Sequence, residues 1–286
     1  MPSSRLLPVL GLLTAATLWG VFWYPLRLLE AQGLSGLWSS LFLYAGTAAA
    51  WPFLLRGRMG EWRRAPLWLL LVALGSGWTN IAFVLAMLEG EVMRVLLLFY
   101  LSPLWATVLG WLFLHERIDG ATLGILAVAV AGAVIMLWNP ALGLPWPASR
   151  ADWLALSSGF AFAALNTVLR HLQGISVQVK TVAGWLGVVV MAGILLLAGQ
   201  EALAAGLPAV GAALGLGATF LVLMTLSVVY GVTHMPVQRS AVILLFEIVA
   251  GAVSSMWLTD ERLSPAEWFG GALVILAAWL SARRVH

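Results

Sequence analysis

The chain has 286 residues, of which 62% are hydrophobic and only 9% charged, with a mean hydropathy of +0.98. A soluble globule cannot hide that much apolar surface, because part of any globular surface is wetted. The net charge of +3, without a dense basic run, excludes a nucleic-acid track, and the lack of cysteine excludes disulfides, thiolate metal sites and cysteine nucleophiles.

Taken in order, the sequence predicts ten apolar segments: 6–29, 35–55, 66–88, 92–114, 118–138, 152–172, 178–198, 209–232, 237–258 and 266–284. Each is long enough to span a bilayer. The first follows Arg5 like a signal peptide, but the many later spans make it an uncleaved first helix. The basic loop Arg56–Ala65 and the proline-bearing linker 139–151 are the longest connectors. The linker separates a first set of five segments (1–138) from a second (152–286).

Basic residues test this count. Arg5, Arg56, Arg58, Arg63, Arg64, Arg117, Arg170, Lys180, Arg239, Arg283 and Arg284 fall on the side of the N-terminus; Arg27, Arg94, Arg150 and Arg262 fall on the other, 11 against 4. The positive-inside rule then places both termini in the cytoplasm. Trp38, Trp51, Trp68, Trp138, Trp153, Trp257, Trp268 and Trp279 lie near segment ends, where an indole bridges lipid and water. Trp19, Trp23, Trp78 and Trp105 lie deeper.

One pattern occurs twice. Arg94 precedes Glu116-Arg117 by 22 residues, and Arg239 precedes Glu261-Arg262 by 22, the two sets being 145 apart. Five segments per half is an odd number, so the second half runs inverted relative to the first. The expected fold is all-α and integral to the membrane: ten transmembrane helices in two inverted five-helix repeats.

At these residues the chain resembles the drug/metabolite transporter superfamily, in particular its EamA-type permeases. The first copy reads Ser102-Pro103, Glu116-Arg117, Gly124 and Gly132; the second reads Glu247-Ile248, Glu261-Arg262, Gly270 and Gly271. Ala-Thr-Leu-Trp-Gly at 16–20 fits the family's first helix. Ile248 stands where the family often has proline, so proline does not enforce a break in the ninth segment. Within the family the tryptophan-rich chain is most similar to YddG-type exporters of aromatic amino acids. The resemblance implies a cavity lined by segments 1, 3, 4, 6, 8 and 9, braced by segments 5 and 10.

The residues that could carry chemistry are few. Glu247 is the only acid well inside a predicted span, where it serves either a cargo ammonium, a proton or a helix contact. Pro103 removes a helical hydrogen bond near Phe99 and is a candidate hinge. Asn80 and Asn166 are intramembrane amides, suited to a zwitterion or to gluing helices. Trp19 and Trp23 share one helix face; Trp78, Phe83, Tyr100, Phe162 and Tyr230 complete an expected aromatic and amide pocket. Gly124, Ala127 and Ala131, with Gly270, Val274 and Ala277, suggest close packing of segments 5 and 10. Arg94, Arg239 and the Glu-Arg pairs read as helix-end anchors and gating contacts.

His115, His171, His234 and His286 show no metal spacing, and no phosphate loop or ATP-binding domain is present. No cofactor, metal or catalytic residue is expected. The reading is a secondary transporter of the bacterial inner membrane, working as a monomer by alternating access. It exports small amphipathic metabolites, foremost aromatic or neutral amino acids. The same superfamily also offers another small metabolite or drug, in either direction, as cargo. A membrane-embedded enzyme would need paired acids, a metal set or an activated nucleophile, and a non-transporting helper is the third class.

Overall fold

The computed structural model describes residues 3–90, 92–138, 146–258 and 263–283, without the side chains of residues 3–5, 88, 92 and 93. Glu261, Arg262, Arg284, His286, the side chain of Arg5 and residues 139–145 of the linker lie outside the described residues.

The described chain folds as helices: α1 (Ser3–Ala31), α2 (Gly36–Gly46), α3 (Trp51–Leu54), α4 (Pro66–Glu89), α5 (Val92–Phe99), α6 (Ser102–Leu114), α7 (Gly120–Leu137), α8 (Arg150–His171), α9 (Val177–Gly199), α10 (Leu207–Leu216), α11 (Val222–His234), α12 (Val237–Leu244), α13 (Phe246–Leu258) and α14 (Pro265–Arg283). Local chemistry sets many starts. Ser35, Asp119 and Ser176 cap α2, α7 and α9 by accepting backbone N–H bonds, and Ser149 with Asp152 forms a capping box on α8. Pro66 and Pro208 sit in first turns, where a missing N–H costs nothing.

Among the described residues, nine helical stretches are long and apolar enough to cross a membrane. The expected segment 35–55 is not one of them. A 3-10 turn over Thr47–Ala50 divides it into α2 and α3, with Pro52 in the first turn of the second piece. The eighth segment is continuous but contains a π turn over Gly217–Leu221 between α10 and α11.

Two long helices are broken in the middle, at positions 145 residues apart. One break is Tyr100-Leu101 between α5 and α6; the other is Leu245 between α12 and α13. Pro103 explains the first, because Phe99 has no N–H partner four residues on. The second occurs without proline. Leu245 and Ile248 donate instead to Val242 and Leu245, the tighter i to i−3 pattern.

Packing repeats in the same way. α8 lies against α4, α5 and α6, and α1 lies against α11, α12 and α13. α9 crosses α4 as α2 crosses α10 and the π turn, while α7 and α14 pack on each other. Glycine permits the closest crossings. A Cβ on Gly187 of α9 would stand 1.9 Å from the Ala73 oxygen of α4, and one on Gly217 would stand 1.9 Å from the Leu43 oxygen of α2.

The α7–α14 contact uses a different face of α7 from the expected one. Gly124, Ala127 and Ala131 are exposed, and nothing lies within 4 Å of a Cβ on Gly124. The buried face is Leu126, Ala129, Gly132, Ala133 and Met136, against Gly270, Val274 and Ala277. Small residues occur on both faces of α7, so side-chain size alone did not identify the buried one. Lys180, counted from sequence among the basic residues on the side of the N-terminus, is fully buried in the first turn of α9. Trp68, Trp138, Trp153, Trp257, Trp268 and Trp279 are exposed, as residues near lipid and headgroups should be.

Candidate functional site

The two helix breaks face one cavity of about 200 Å³, room for roughly a dozen waters or one small metabolite. Seven of the expected residues line it: Trp19, Asn80, Phe83, Tyr100, Phe162, Asn166 and Glu247. At its centre the break residue of one half meets the acid beside the break of the other. The Tyr100 hydroxyl faces the Glu247 carboxylate, bringing together chain positions 147 apart.

Aromatic rings form one wall. Phe99 lies 4.9 Å from Phe83 and 5.7 Å from Phe162, centre to centre. Polar groups are interspersed. The Asn80 amide nitrogen donates weakly to the Tyr44 hydroxyl at 3.5 Å. The Oδ1 atoms of Asn80 and Asn166 and the Thr79 hydroxyl are buried without a protein partner among the described residues. Such groups are costly unless something enters to meet them. A mainly apolar pocket with a few convergent polar groups is the usual form of a small-molecule site.

Three expected residues lie elsewhere. Trp23 is one turn beyond Trp19, but by then α1 has closed onto α13. A Cβ on Gly20 would stand 2.6 Å from the Glu247 backbone oxygen, and the Trp23 indole donates to Ser254 at 2.9 Å. Trp78 is two residues from Asn80, about 200° around the helix, and faces outward, 43% exposed, donating to Ser157. Tyr230 packs against His234, ring centres 4.3 Å apart and tilted by 32°, while its neighbour Val229 lines the cavity. Pro103 is buried at the start of α6, and the Phe99 oxygen it leaves unbonded presses on Gly159, where a Cβ would stand 2.6 Å away.

The cavity also uses residues the sequence did not single out. α9 contributes Lys180, Thr181, Gly184 and Trp185, and α2 contributes Tyr44. Thus the second and seventh segments line the site as well, whereas α7 and α14 contribute nothing to it. Trp185 is fully buried and donates to Thr225 at 2.9 Å. A signal existed for two of these: Lys180 is the only charged residue in the segment 178–198, and Trp185 lies five residues on.

The charged pairs sit at the two ends of the bundle. Arg94 bonds Asp152 at 2.9 Å, and Arg150 pairs with Glu89 at 3.3 Å. At the opposite end Glu116 accepts the Val237 N–H at 3.2 and 3.0 Å, capping α12, and lies 3.9 Å from Arg170. His115 in the left-handed conformation turns the chain back so that Glu116 can do this. Gln238 donates to the Arg117 oxygen. Burial pushes the Glu116 carboxyl above the ordinary range, outweighing the Val237 N–H and the charges of Arg170 and Arg239.

Comparison with known proteins fits this geometry. A crystal structure described only as that of a protein aligns over 100% of both chains, with a TM-score of 0.78 and 18% identity. At that identity the likeness is one of fold. In all, 27 chains of solved structures match. No curated protein matches in sequence. The sequence model of the EamA-like transporter family matches twice, over residues 6–138 and 149–283. With two copies of the family pattern covering nearly the whole chain and nine apolar helices among its described residues, this multi-pass membrane protein belongs to the EamA-like transporter family, permeases of small substrates and not enzymes.

Proposed function

We propose that the cavity between the two helix breaks carries small amphipathic metabolites, foremost aromatic or neutral amino acids, outward across a bacterial inner membrane. The observation that carries this reading is the meeting of Tyr100 and Glu247, from opposite halves, in a cavity with aromatic walls and unpartnered amide oxygens. Glu247 receives the cargo ammonium, the amides receive its other polar atoms, and the Phe83–Phe99–Phe162 wall receives its ring. The direct test is uptake of labelled phenylalanine and tryptophan by proteoliposomes. Acceleration over empty vesicles is the expected result; none across a broad amino-acid panel would refute the cargo assignment. Asn166→Leu is expected to lower flux about 5- to 100-fold while membrane insertion stays normal, since one cargo hydrogen bond is lost and a buried partner is left unmet.

Alternating access follows from the proposed architecture. The packing of α8 on α4–α6 matches that of α1 on α11–α13, as two related halves require. With segment 2 crossing in two pieces, each half has five crossings and the second is inverted. Both termini then share the cytoplasmic side with Glu116, by the basic-residue asymmetry.

In this reading the Glu116 cluster closes the cavity's cytoplasmic end. A carboxyl whose value is raised in the closed form holds its proton more tightly there than in an opened, solvated form. That contribution favours closure fully below the ordinary carboxylate range and fades as pH rises through the raised value. Labelling of Val228→Cys, a cavity residue, by an impermeant thiol reagent from this side is therefore expected to slow as pH falls. Glu116→Gln should remove the pH dependence yet keep the cap, because its amide oxygen still accepts from Val237. Glu116→Ala should lose about 1 kcal/mol of cap and label faster at every pH. Unchanged labelling in both variants would contradict the closure.

A further inference from the structure

The cavity wall contains two charged side chains among the described residues, and they come from different helices: Glu247 on α13 and Lys180 on α9. Lys180 is 0% exposed. Its Nζ lies 3.0 Å from the Leu169 oxygen, 3.1 Å from the Leu172 oxygen and 2.7 Å from the Thr233 hydroxyl. Three acceptors match the three N–H groups of an ammonium. The two carbonyls belong to the C-terminal end of α8, where a cation is favoured. Every donor is therefore spent on the protein. Lys180 does not reach out to a ligand; it is a fixed positive charge set in the wall.

Behind it the positive character continues. Arg170 donates to the Thr233 oxygen at 2.7 Å, and its nearest acid, Glu116, is 3.9 Å away. The α8 carbonyls offset only about half a charge. The cavity is thus polarised, with a carboxylate beside the break in α13 and an ammonium at the meeting of α8, α9 and α11. A carboxylate on the cargo is favoured at the Lys180 end, and an ammonium is favoured at Glu247. An aromatic amine alone would satisfy Glu247 but bring a second positive charge into a small, mainly apolar space.

We propose that Lys180 is a positioning residue that makes the cavity select net-neutral zwitterions over amines and acids of the same shape. The cargo lies with its ammonium at Glu247 and its carboxylate toward the α8–α9 wall, near Asn166, one turn before Arg170. This rests on the reading of the cavity as the cargo site.

The test uses the full-length protein in proteoliposomes and three probes with one ring: phenylalanine, phenethylamine and 3-phenylpropionate. Each competes against labelled phenylalanine, and labelled phenethylamine flux is followed in parallel. In the wild type, phenylalanine is expected to compete on the order of tenfold better than either analogue. Lys180→Gln should narrow the gap to phenethylamine by a similar factor and leave 3-phenylpropionate no better. Lys180→Arg should keep the wild-type ranking, which a merely space-filling lysine would not require. Glu247→Gln should weaken phenylalanine and phenethylamine more than 3-phenylpropionate. If Lys180→Gln does not fold, the wild-type ranking still decides. Phenethylamine competing as well as phenylalanine, or moving when phenylalanine does not, overturns the inference and leaves the cavity as a cargo site. A folded Lys180→Gln with the wild-type ranking also overturns it. If no aromatic probe moves or competes, the cargo reading itself fails and the inference with it.

Discussion

Gly187→Leu is expected to leave little folded protein in the membrane. The position is the contact point of α9 with α4. A Cβ there would stand 1.9 Å from the Ala73 oxygen, 2.4 Å from its carbonyl carbon and 2.6 Å from its Cα. All three are backbone atoms, so no rotamer change relieves the clash. Overpacking against movable side chains costs about 1–3 kcal/mol; here whole helices must part, and the cost lies at or above the top of that range. Since α4 carries Asn80 and α9 carries Lys180 and Trp185, separation would also dismantle the cavity. The control lies six residues on. Gly193 has nothing within 4 Å of its Cβ position, so Gly193→Ala should be neutral or stabilising by up to about 1 kcal/mol through helix propensity. Thermal unfolding in detergent reports both. A Gly187→Leu protein that melts with the wild type would show that the α4–α9 crossing is not packed as described.

Glu247→Gln is expected to lower flux of ammonium-bearing cargo by roughly 10- to 100-fold without loss of folding. A charge-assisted hydrogen bond contributes about 1.5–3 kcal/mol, and the amide keeps the shape but not the charge. It also keeps an oxygen for the Tyr100 hydroxyl, so the link between the two breaks survives. Glu247→Ala removes that oxygen as well and leaves a cavity beside Tyr100, and should additionally lower stability, by about 1–3 kcal/mol. Comparing flux with melting temperature in the two variants separates the two roles. Equal flux in Glu247→Gln and wild type would remove the carboxylate from cargo binding.

Much of the architecture was legible because the membrane imposes it. Apolar runs, their connectors and the recurrence of Arg94 and Glu116 at Arg239 and Glu261 stand in the sequence itself. What was not legible concerns orientation. Trp78 and Asn80 are neighbours in sequence, yet the helix turns one outward and the other into the cavity. In α7 two faces carry small residues, and only the partner helix decides which is buried. The break at Leu245 has no proline to announce it, although it falls 145 residues after the one at Tyr100. The sequence assigns Lys180 only a side of the membrane, and a lysine near a segment end ordinarily reaches water. Its burial depends on carbonyls from the end of α8 and a hydroxyl from α11, residues up to 53 positions away. Contacts over that range leave no periodic trace in a single sequence.

In this account cargo binds between the two breaks. The native chain has no cysteine, so one introduced thiol reports without background. Val228 lines the cavity and is only partly buried. The decisive measurement is the rate at which a membrane-permeant maleimide labels Val228→Cys, with and without saturating phenylalanine, in vesicles where phenylalanine flux is measured alongside. Phenylalanine is expected to slow labelling several-fold, with Gly193→Cys, which faces open space, unaffected. Flux that proceeds while Val228→Cys labels at an unchanged rate would place the cargo route elsewhere in the protein.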